Sequence, residues 1–296
     1  MSVQKLRQKV TYLLTMYGFL TPTIIGLIVF NAGAIIASFI ISFFTYDVIT
    51  PAKWIGLENY RWIFNSSLFW RSVTNTLRFA AGYIPLSLAA SLILALLLNQ
   101  KLRGIGVFRT VFYLPVVTSM VAVSLVFSWL FNPYYGLINH FLSLFGIQGP
   151  AWLSSTEWAM PAVILVSVWK TAGYYMVIYL AALQNIPPEL YEAASIDGAD
   201  RWKQIRHITI PLISPTTFFI TVMCTMSSLK VFEQVYVMTK GGPANSTLTI
   251  NLLIYRNAFE YLRMGRATAM AYFLFAMIMV VTLVQFWGQK RWVHYG

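Results

Sequence analysis

The chain has 296 residues, of which 58% are hydrophobic and only 10% are charged, and its mean hydropathy is +0.66. This composition is typical of a polytopic membrane protein and excludes an ordinary soluble core. The net charge of +12 does not indicate nucleic-acid binding, because most Lys and Arg residues stand at the ends of apolar runs, where they orient membrane helices. A single cysteine, Cys224, excludes an internal disulfide. The histidines, His140, His207 and His294, lack metal-ligand spacing.

Apolar runs divide the chain, and each has about the twenty residues needed to cross a bilayer. The predicted spans are residues 11–44, 73–98, 107–131, 159–183, 215–238 and 267–287. The first run is too long for the apolar region of a signal peptide, so it is interpreted as a retained span. A short interfacial helix is predicted around 137–145. We therefore predict an all-α, polytopic membrane protein with about six transmembrane helices, forming a single domain over residues 1–296.

The distribution of positive charge predicts that both termini face the cytoplasm. The predicted inner segments hold more Lys and Arg than the outer ones, and they hold them in short loops beside spans, where the positive-inside rule has force. The inner charges include Lys5, Arg7, Lys9, Lys101, Arg103, Lys290 and Arg291. The outer charges include Lys53, Arg61, Arg71, Arg78 and Lys240.

One polar stretch, residues 187–211, separates the fourth and fifth runs and concentrates more charge than any other segment. Pro187 and Pro188 are expected to open a short helix, because proline is tolerated in a first helical turn. Gly198 stands where a left-handed C-cap is expected. Asp200 can cap a second helix, and Pro211 is expected to end it. The first helix carries a small-residue apolar face, typical of a docking element, formed by Leu190, Ala193, Ala194 and Ile196.

This stretch resembles the EAA loop of bacterial ATP-binding-cassette importer permeases. It contains Glu192-Ala-Ala194, then three residues, Gly198, nine residues and Ile208-Thr-Ile-Pro211, with Ile210 where leucine is usual. The resemblance implies a cytoplasmic coupling helix seated in a groove of an ATPase subunit. The coupling residues so implied are Leu190, Glu192, Ala193, Ala194, Asp197 and Gly198. Without the resemblance, the stretch is an amphipathic loop between membrane helices.

A second resemblance covers nearly the whole chain. Phe232-Glu-Gln-Val-Tyr-Val-Met-Thr-Lys-Gly-Gly-Pro243, Gly56-Leu-Glu-Asn-Tyr60 and Phe108-Arg-Thr-Val-Phe-Tyr-Leu-Pro115 are similar to the first subunit of maltose-type and glycerol-phosphate-type carbohydrate importer permeases. Unlike the maltose permease, the chain lacks two extra spans and a large periplasmic insertion. The resemblance implies alternating access in a bacterial cytoplasmic (inner) membrane. The implied partners are a second homologous permease, two cytoplasmic ATPase subunits, an extracytoplasmic solute-binding protein and a carbohydrate.

Charged residues at membrane depth are costly and usually face a cavity or a partner, and Lys170, Lys230 and Glu233 are of this kind. Lys230 and Glu233 can pair if they share a helix, or they can line the translocation path. Trp169, Tyr174 and Tyr175 offer faces for a sugar ring or for helix packing. The resemblance implies substrate-lining positions at Ser167, Lys170, Thr171, Tyr174, Cys224, Ser228 and Val231, and the predicted substrate pathway adds Lys230 and Glu233.

No catalytic motif is found in the sequence. Residues 241–247 are glycine-rich but lack the lysine of a phosphate-binding loop, so no cofactor is expected in this chain, and ATP and Mg²⁺ are expected on partner ATPases. We predict a neutral saccharide of two units or more, because Glu233 can neutralise Lys230 and because the aromatic residues suit a neutral ring. The alternatives are an anionic sugar acid or a sugar or glycerol phosphate. A secondary transporter is a more remote alternative, since neither inverted repeats nor broken helices are evident.

Overall fold

The computed structural model describes residues 3–100, 103–290 and 292–293. Lys101, Arg291 and His294 lie outside these ranges. For Lys5, Arg7 and Lys9, only the backbone is described.

Helices form nearly all of the regular structure. The α-helices are α1 Val3–Gly26, α2 Ala34–Ile41, α3 Glu58–Asn65, α4 Ser67–Leu98, α5 Ile105–Val117, α6 Met120–Leu130, α7 Leu137–Leu144, α8 Ala159–Gln184, α9 Pro188–Ile196, α10 Arg201–Gln204, α11 Ile210–Leu212, α12 Ser214–Leu229, α13 Glu233–Met238, α14 Ile250–Tyr255 and α15 Met264–Gln289. Leu27–Gly33, Ile205–Thr209 and Arg256–Glu260 are π-helical, and Trp152–Ser154 is a 3₁₀ turn. Two short strands, β1 Phe44–Thr45 and β2 Lys53–Trp54, pair antiparallel.

Helices long and apolar enough to cross a membrane confirm the predicted all-α polytopic fold. In the described residues these are Thr15–Ile41, Ser67–Leu98, Ala159–Gln184 and Met264–Gln289. Two bent helix pairs, Ile105–Val117 with Met120–Leu130 and Arg201–Leu212 with Ser214–Leu229, add two spans if each pair crosses the membrane once. The described residues then contain up to 6 spans. The short helix predicted around 137–145 is α7.

The third and fifth predicted spans are not continuous helices. The third bends by 97° between α5 and α6, at Thr118 and Ser119. The fifth, predicted over 215–238, is interrupted at 230–232, because α12 ends at Leu229 and a new helix starts at Glu233; the 66° bend at Ile213 precedes this span. A broken helix leaves backbone groups that need new partners. At the first break, the N–H and the hydroxyl of Thr118 both donate to the carbonyl of Pro115, at 3.3 Å and 2.6 Å.

The described chain forms two compact units, residues 1–65 with 256–272 and residues 66–255 with 273–296. In the first unit, the amide of Asn59 donates to the carbonyls of Ser42 and Phe44, at 2.8 Å and 2.9 Å. The N–H of Met264 donates to the carbonyl of Tyr46 at 2.9 Å, which joins the start of α15 to the segment after β1. That the chain is one domain stays a prediction.

The second unit has its core where α4 packs along α8. The two helices are parallel, because their contacts advance together: Arg71 and Arg78 share a cavity wall with Thr156, just before α8, and Phe79 and Tyr83 share one with Ser167 and Thr171. Gly82 faces Ile164. Helix α5 approaches α8 still more closely. A Cβ atom on Gly173 would lie 2.1 Å from the carbonyl oxygen of Phe112. Only a glycine at this position allows the two backbones to meet, and this contact holds the middle of α5 against α8.

Candidate coupling and translocation sites

The predicted coupling loop is a tight pair of helices, α9 and the helical segment 201–212. Pro188 is the first residue of α9, and Gly198 has a φ of +77°, as expected for a left-handed cap. The N–H of Gly198 donates to the carbonyl of Ser195 at 3.1 Å, and the N–H of Ala199 donates to that of Ala194 at 2.9 Å. This pair of bonds defines a Schellman motif. Asp200 caps the second helix by accepting the N–H of Lys203 at 2.8 Å.

Side-chain hydrogen bonds hold the two helices of this loop together. The Tyr191 hydroxyl lies 2.9 Å from that of Thr209, and the amide of Gln204 donates to the Ser195 hydroxyl at 2.9 Å. The expectation that Pro211 ends the second helix is wrong, because the helix continues to Leu212 and breaks at Ile213. The π-helical turn before Pro211 provides a physical reason, since a wider turn relieves the clash between a proline ring and the preceding turn.

The coupling loop exposes an apolar surface beside acidic residues. Ile196 is 88% exposed and Leu190 is 42% exposed, while Glu192, Ala193 and Asp197 are also exposed and Ala194 is half-buried. Trp202, which the sequence analysis did not select, is 69% exposed. The sequence did carry a signal for Trp202, because a large aromatic side chain within a charged stretch indicates a candidate contact residue. Exposed apolar residues rimmed by charges are typical of a protein–protein contact.

Three of the predicted pathway residues, Ser167, Lys170 and Thr171, line one cavity of about 210 Å³ in the second unit. The other residues of its wall are Phe79, Tyr83, Met120, Ser227 and Gln234. Gln234 donates to the Ser167 hydroxyl at 3.1 Å, and the rings of Phe79 and Tyr83 stack with centroids 5.4 Å apart. Hydroxyls, an amide and aromatic faces are therefore brought together, a lining that can bind a sugar.

The ammonium group of Lys170 is held by backbone carbonyls. Its Nζ donates to the carbonyl oxygens of Val116 at 3.2 Å and Pro115 at 3.4 Å, at the end of α5. These are carbonyls of the last helical turn, where a positive charge is favoured by the helix dipole. The partner of Lys170 therefore comes from another segment, next to the break in the third span.

The remaining predicted pathway residues lie outside the wall of this cavity. Ser228, Val231 and Cys224 are buried, while Tyr174, Lys230 and Glu233 are exposed. Trp169 packs on Phe127, and Tyr174 packs on Tyr175. A role for these residues in the pathway stays a prediction.

Pairing of Lys230 with Glu233, one of the two alternatives for these residues, does not occur in the structure. An ion pair is formed instead by Arg256 and Glu260, with Nε 3.7 Å from Oε2. The pairing rule assumes one continuous helix. Here α12 ends at Leu229, Lys230 follows as its cap, and Glu233 starts a new helix.

Tyr83, Ser227 and Gln234 are wall residues that the sequence analysis missed. The signal for Gln234 was an amide in a predicted span, next to Glu233. For Tyr83 and Ser227, no local pattern distinguishes a residue that faces a cavity from one that packs between helices.

Comparison with known proteins assigns the chain to a family. Residues 87–294 match the family described as the binding-protein-dependent transport system inner membrane component, and the chain belongs to this family. The chain is thus a multi-pass inner-membrane permease subunit of an ATP-binding-cassette importer of sugars. Such a subunit is not itself an ATPase, and ATP is used by partner subunits.

Similar proteins include several sugar permeases. The chain is 37% identical to the lactose transport system permease protein LacF of Rhizobium radiobacter over 92% of this chain and 93% of that protein. It is 32% identical to the trehalose/maltose transport system permease protein MalF of Thermococcus litoralis, over 90% and 91%. A solved bacterial transporter involved in import of the acidic polysaccharide alginate matches with a TM-score of 0.85 and 30% identity, over 97% of this chain and 99% of that chain. The predicted resemblance to carbohydrate importer permeases is confirmed.

The expectation that the membrane helices are unbroken is wrong. The chain breaks at Thr118–Ser119 and at 230–232, beside the cavity. Non-helical backbone at membrane depth occurs where it lines a cavity, whatever drives transport. Family membership, not helix continuity, excludes a secondary transporter.

Proposed function

We propose that this permease imports a neutral di- or oligosaccharide by alternating access, with α9 and the loop 187–211 docked on a partner ATPase. The complete transporter would contain a second homologous permease, two cytoplasmic ATPase subunits and an extracytoplasmic solute-binding protein. Both termini would face the cytoplasm of a bacterial cell. ATP binding can drive the change only through its different affinity for the two states.

The observation that carries the neutral assignment is the environment of Lys170. Among the described residues, its ammonium is the only charge in the wall of the 210 Å³ cavity, and two of its three donors face the carbonyls of Pro115 and Val116. The remaining polar groups of the wall are hydroxyls and the amide of Gln234. One partly engaged ammonium can bond a sugar hydroxyl without requiring an anion.

Relatives support both the neutral reading and its alternative. The names of the lactose and trehalose/maltose permeases specify neutral sugars. A sulfoquinovosyl glycerol permease of Agrobacterium fabrum is 36% identical over 82% of this chain, and the solved alginate transporter imports an acidic polysaccharide. These matches make an anionic saccharide the second candidate.

The coupling role is supported by the exposed apolar surface of α9 and by its place in the chain. α9 follows α8, which bears Ser167, Lys170 and Thr171, so one helix leads from the cavity to the loop. The rigid Gly198 corner and the bonds from Tyr191 and Ser195 give the loop a fixed shape. A fixed shape is what a docking element needs, because less conformational entropy is lost on binding.

The test is to purify the permease from its host membrane, identify the ATPase that accompanies it, and reconstitute the whole transporter with its cognate binding protein. Uptake is then measured for neutral disaccharides and oligosaccharides, uronate oligosaccharides and sugar phosphates of matched size. We expect ATP-dependent uptake of a neutral saccharide. Uptake confined to uronates or phosphorylated compounds would overturn the neutral assignment. If wild-type ATPase activity persisted with Glu192→Lys and Gly198→Pro and uptake were unchanged, the coupling assignment would be wrong.

A further inference from the structure

Two arginines lie on one face of α4 near its start. Arg71 and Arg78 are seven residues apart, about two helical turns, and both are exposed. They line a second cavity of about 370 Å³, together with Thr74, Asn75, Thr156 and Ser246. No acidic side chain contributes to this wall. The cavity is therefore strongly positive and otherwise lined by neutral polar groups.

Three donors of this cavity, on Arg71, Arg78 and Ser246, have no acceptor in the described part of the chain, whereas the Thr74 hydroxyl donates to the carbonyl of Trp70 at 3.0 Å. In the described part of the chain, neither the Arg71 nor the Arg78 guanidinium has a hydrogen bond or an ion pair with another residue. The hydroxyl of Ser246 is buried without a hydrogen-bond partner. The Asn75 amide, in contrast, donates to the carbonyls of Asn245 and Leu248, at 2.8 Å and 3.0 Å, and thereby fixes the segment that carries Ser246. Two exposed guanidiniums beside a buried hydroxyl without a partner favour an anionic ligand.

The position of this cavity along α8 indicates its side of the membrane. Thr156 stands just before α8, and α8 has 26 residues, which is about 39 Å of helix. The coupling loop follows the far end of α8, and α4 runs parallel to α8. The cavity is thus separated from the coupling loop by about the thickness of a membrane. If the loop meets a cytoplasmic ATPase, as the proposed function has it, the arginines face the extracytoplasmic side.

The same arginines stand at the outer end of the route to the inner cavity. Phe79, next to Arg78, and Tyr83, about one turn further along, line the 210 Å³ cavity beside Lys170. A protein that delivers a sugar to that cavity from the extracytoplasmic side would come close to Arg71 and Arg78, which precede Phe79 and Tyr83 on the same helix. Exposed guanidiniums suit paired contacts with carboxylates of such a protein, and they also speed its association by long-range attraction.

From this geometry we propose that Arg71 and Arg78 bind Asp or Glu side chains on the docking surface of the extracytoplasmic binding protein. Carboxylates of the partner, not of the saccharide, are the occupants, because both arginines are exposed and the proposed substrate carries no charge. Each guanidinium can form two parallel bonds with one carboxylate. The inference rests on the proposed function for the side of the membrane and for the neutral substrate.

The test uses the complete transporter in nanodiscs and its cognate binding protein loaded with sugar. The variants are Arg71→Gln/Arg78→Gln and Arg71→Lys/Arg78→Lys. Lys53→Gln/Arg61→Gln is the matched control, because it removes two exposed positive charges of the predicted outer side from the other compact unit. Affinity of docking is measured at several salt concentrations, and uptake is measured at saturating binding protein. Wild-type uptake of the neutral sugar is established first, so that failure of the proposed function is recognised separately.

We expect the double glutamine variant to weaken docking by about tenfold at low salt and to lose most of its salt dependence. The double lysine variant should keep most of the salt dependence, and the control should dock like the wild type. Uptake at saturating binding protein should be nearly unchanged. Unaltered docking of the glutamine variant would overturn the proposal. If, in addition, its KM for sugar were raised, the arginines would contact the substrate and not the binding protein. If the double glutamine variant fails to assemble, docking is measured for Arg71→Gln and Arg78→Gln separately. Each should weaken docking at low salt, and wild-type docking of both would overturn the proposal.

Discussion

Lys170 and Val116 are 54 residues apart in sequence, yet the ammonium of the first donates to the carbonyl of the second at 3.2 Å. This bond joins the middle of α8 to the last turn of α5, just before the chain turns by 97°. The lysine therefore stabilises the shape of the cavity wall as well as contributing a donor to it.

Replacing Lys170 by methionine should destabilise the transporter and lower its maximal uptake. The change removes hydrogen bonds from a charged donor at a helix C-terminus, worth about 1–2 kcal/mol. Thermal unfolding of the purified complex and the initial rate of uptake measure the two effects. Lys170→Gln keeps a donor and should retain more stability than Lys170→Met. Equal stability of the methionine variant and the wild type would mean that the carbonyl contacts contribute nothing.

Gly173→Ala should disrupt the contact between α8 and α5. The added Cβ would lie 2.1 Å from the Phe112 carbonyl oxygen, so one backbone must move, at a cost of about 1–3 kcal/mol. Gly106→Ala is the control, since its Cβ meets nothing within 4 Å, and alanine favours the helix. We expect lower thermal stability and lower uptake for Gly173→Ala alone. Identical behaviour of the two variants would contradict the close approach.

The Gly198 corner can be tested against a glycine in the same conformation elsewhere. Gly198 and Gly146 have φ values of +77° and +74°, and a Cβ atom added at either glycine would meet no other atom within 4 Å. Alanine at either position therefore carries similar backbone strain, about 1 kcal/mol. Only Gly198→Ala should reduce uptake driven by ATP, because only this corner sets the angle of the proposed docking helix. ATPase activity stimulated by the binding protein gives a second readout, and equal loss in both variants would point to strain alone.

The bond between Tyr191 and Thr209 should matter for coupling more than for insertion. Tyr191→Phe removes a hydroxyl 2.9 Å from that of Thr209, which is 2% exposed, at a cost of about 0.5–1.5 kcal/mol. We expect normal amounts in the membrane but a lower ratio of sugar transported to ATP hydrolysed. A cycle with Thr209→Val and the double variant isolates the pairwise contribution. Additive effects on that ratio would show that the hydrogen bond itself is unimportant.

Local features of this chain could be predicted from sequence, and long-range ones could not. The Gly198 corner and the Asp200 cap depend on residues within one turn, so the chemistry of each residue was sufficient. Span lengths followed from the thickness of a bilayer. The break at Thr118–Ser119 carries neither glycine nor proline at the bend itself, and it depends on donors such as Lys170 from another segment. The cavity wall likewise combines α4, α8 and the segment around Gln234, which no local pattern brings together.

Helix α8 has no interruption between the residues of the inner cavity and the coupling loop. From Ser167 to Gln184 it is one hydrogen-bonded rod, whereas on the other side of the loop the chain bends at Ile213 and again opens after Leu229. A continuous helix transmits a displacement along its whole length, whereas a bend absorbs part of it. The loop is thus connected to Ser167, Lys170 and Thr171 by a stiff segment, α8, and to Gln234 by a more flexible one, the chain through α12. If α9 docks on an ATPase, as proposed, a movement of α9 would displace Ser167, Lys170 and Thr171 more directly than Gln234, and would stretch the hydrogen bond between Gln234 and Ser167.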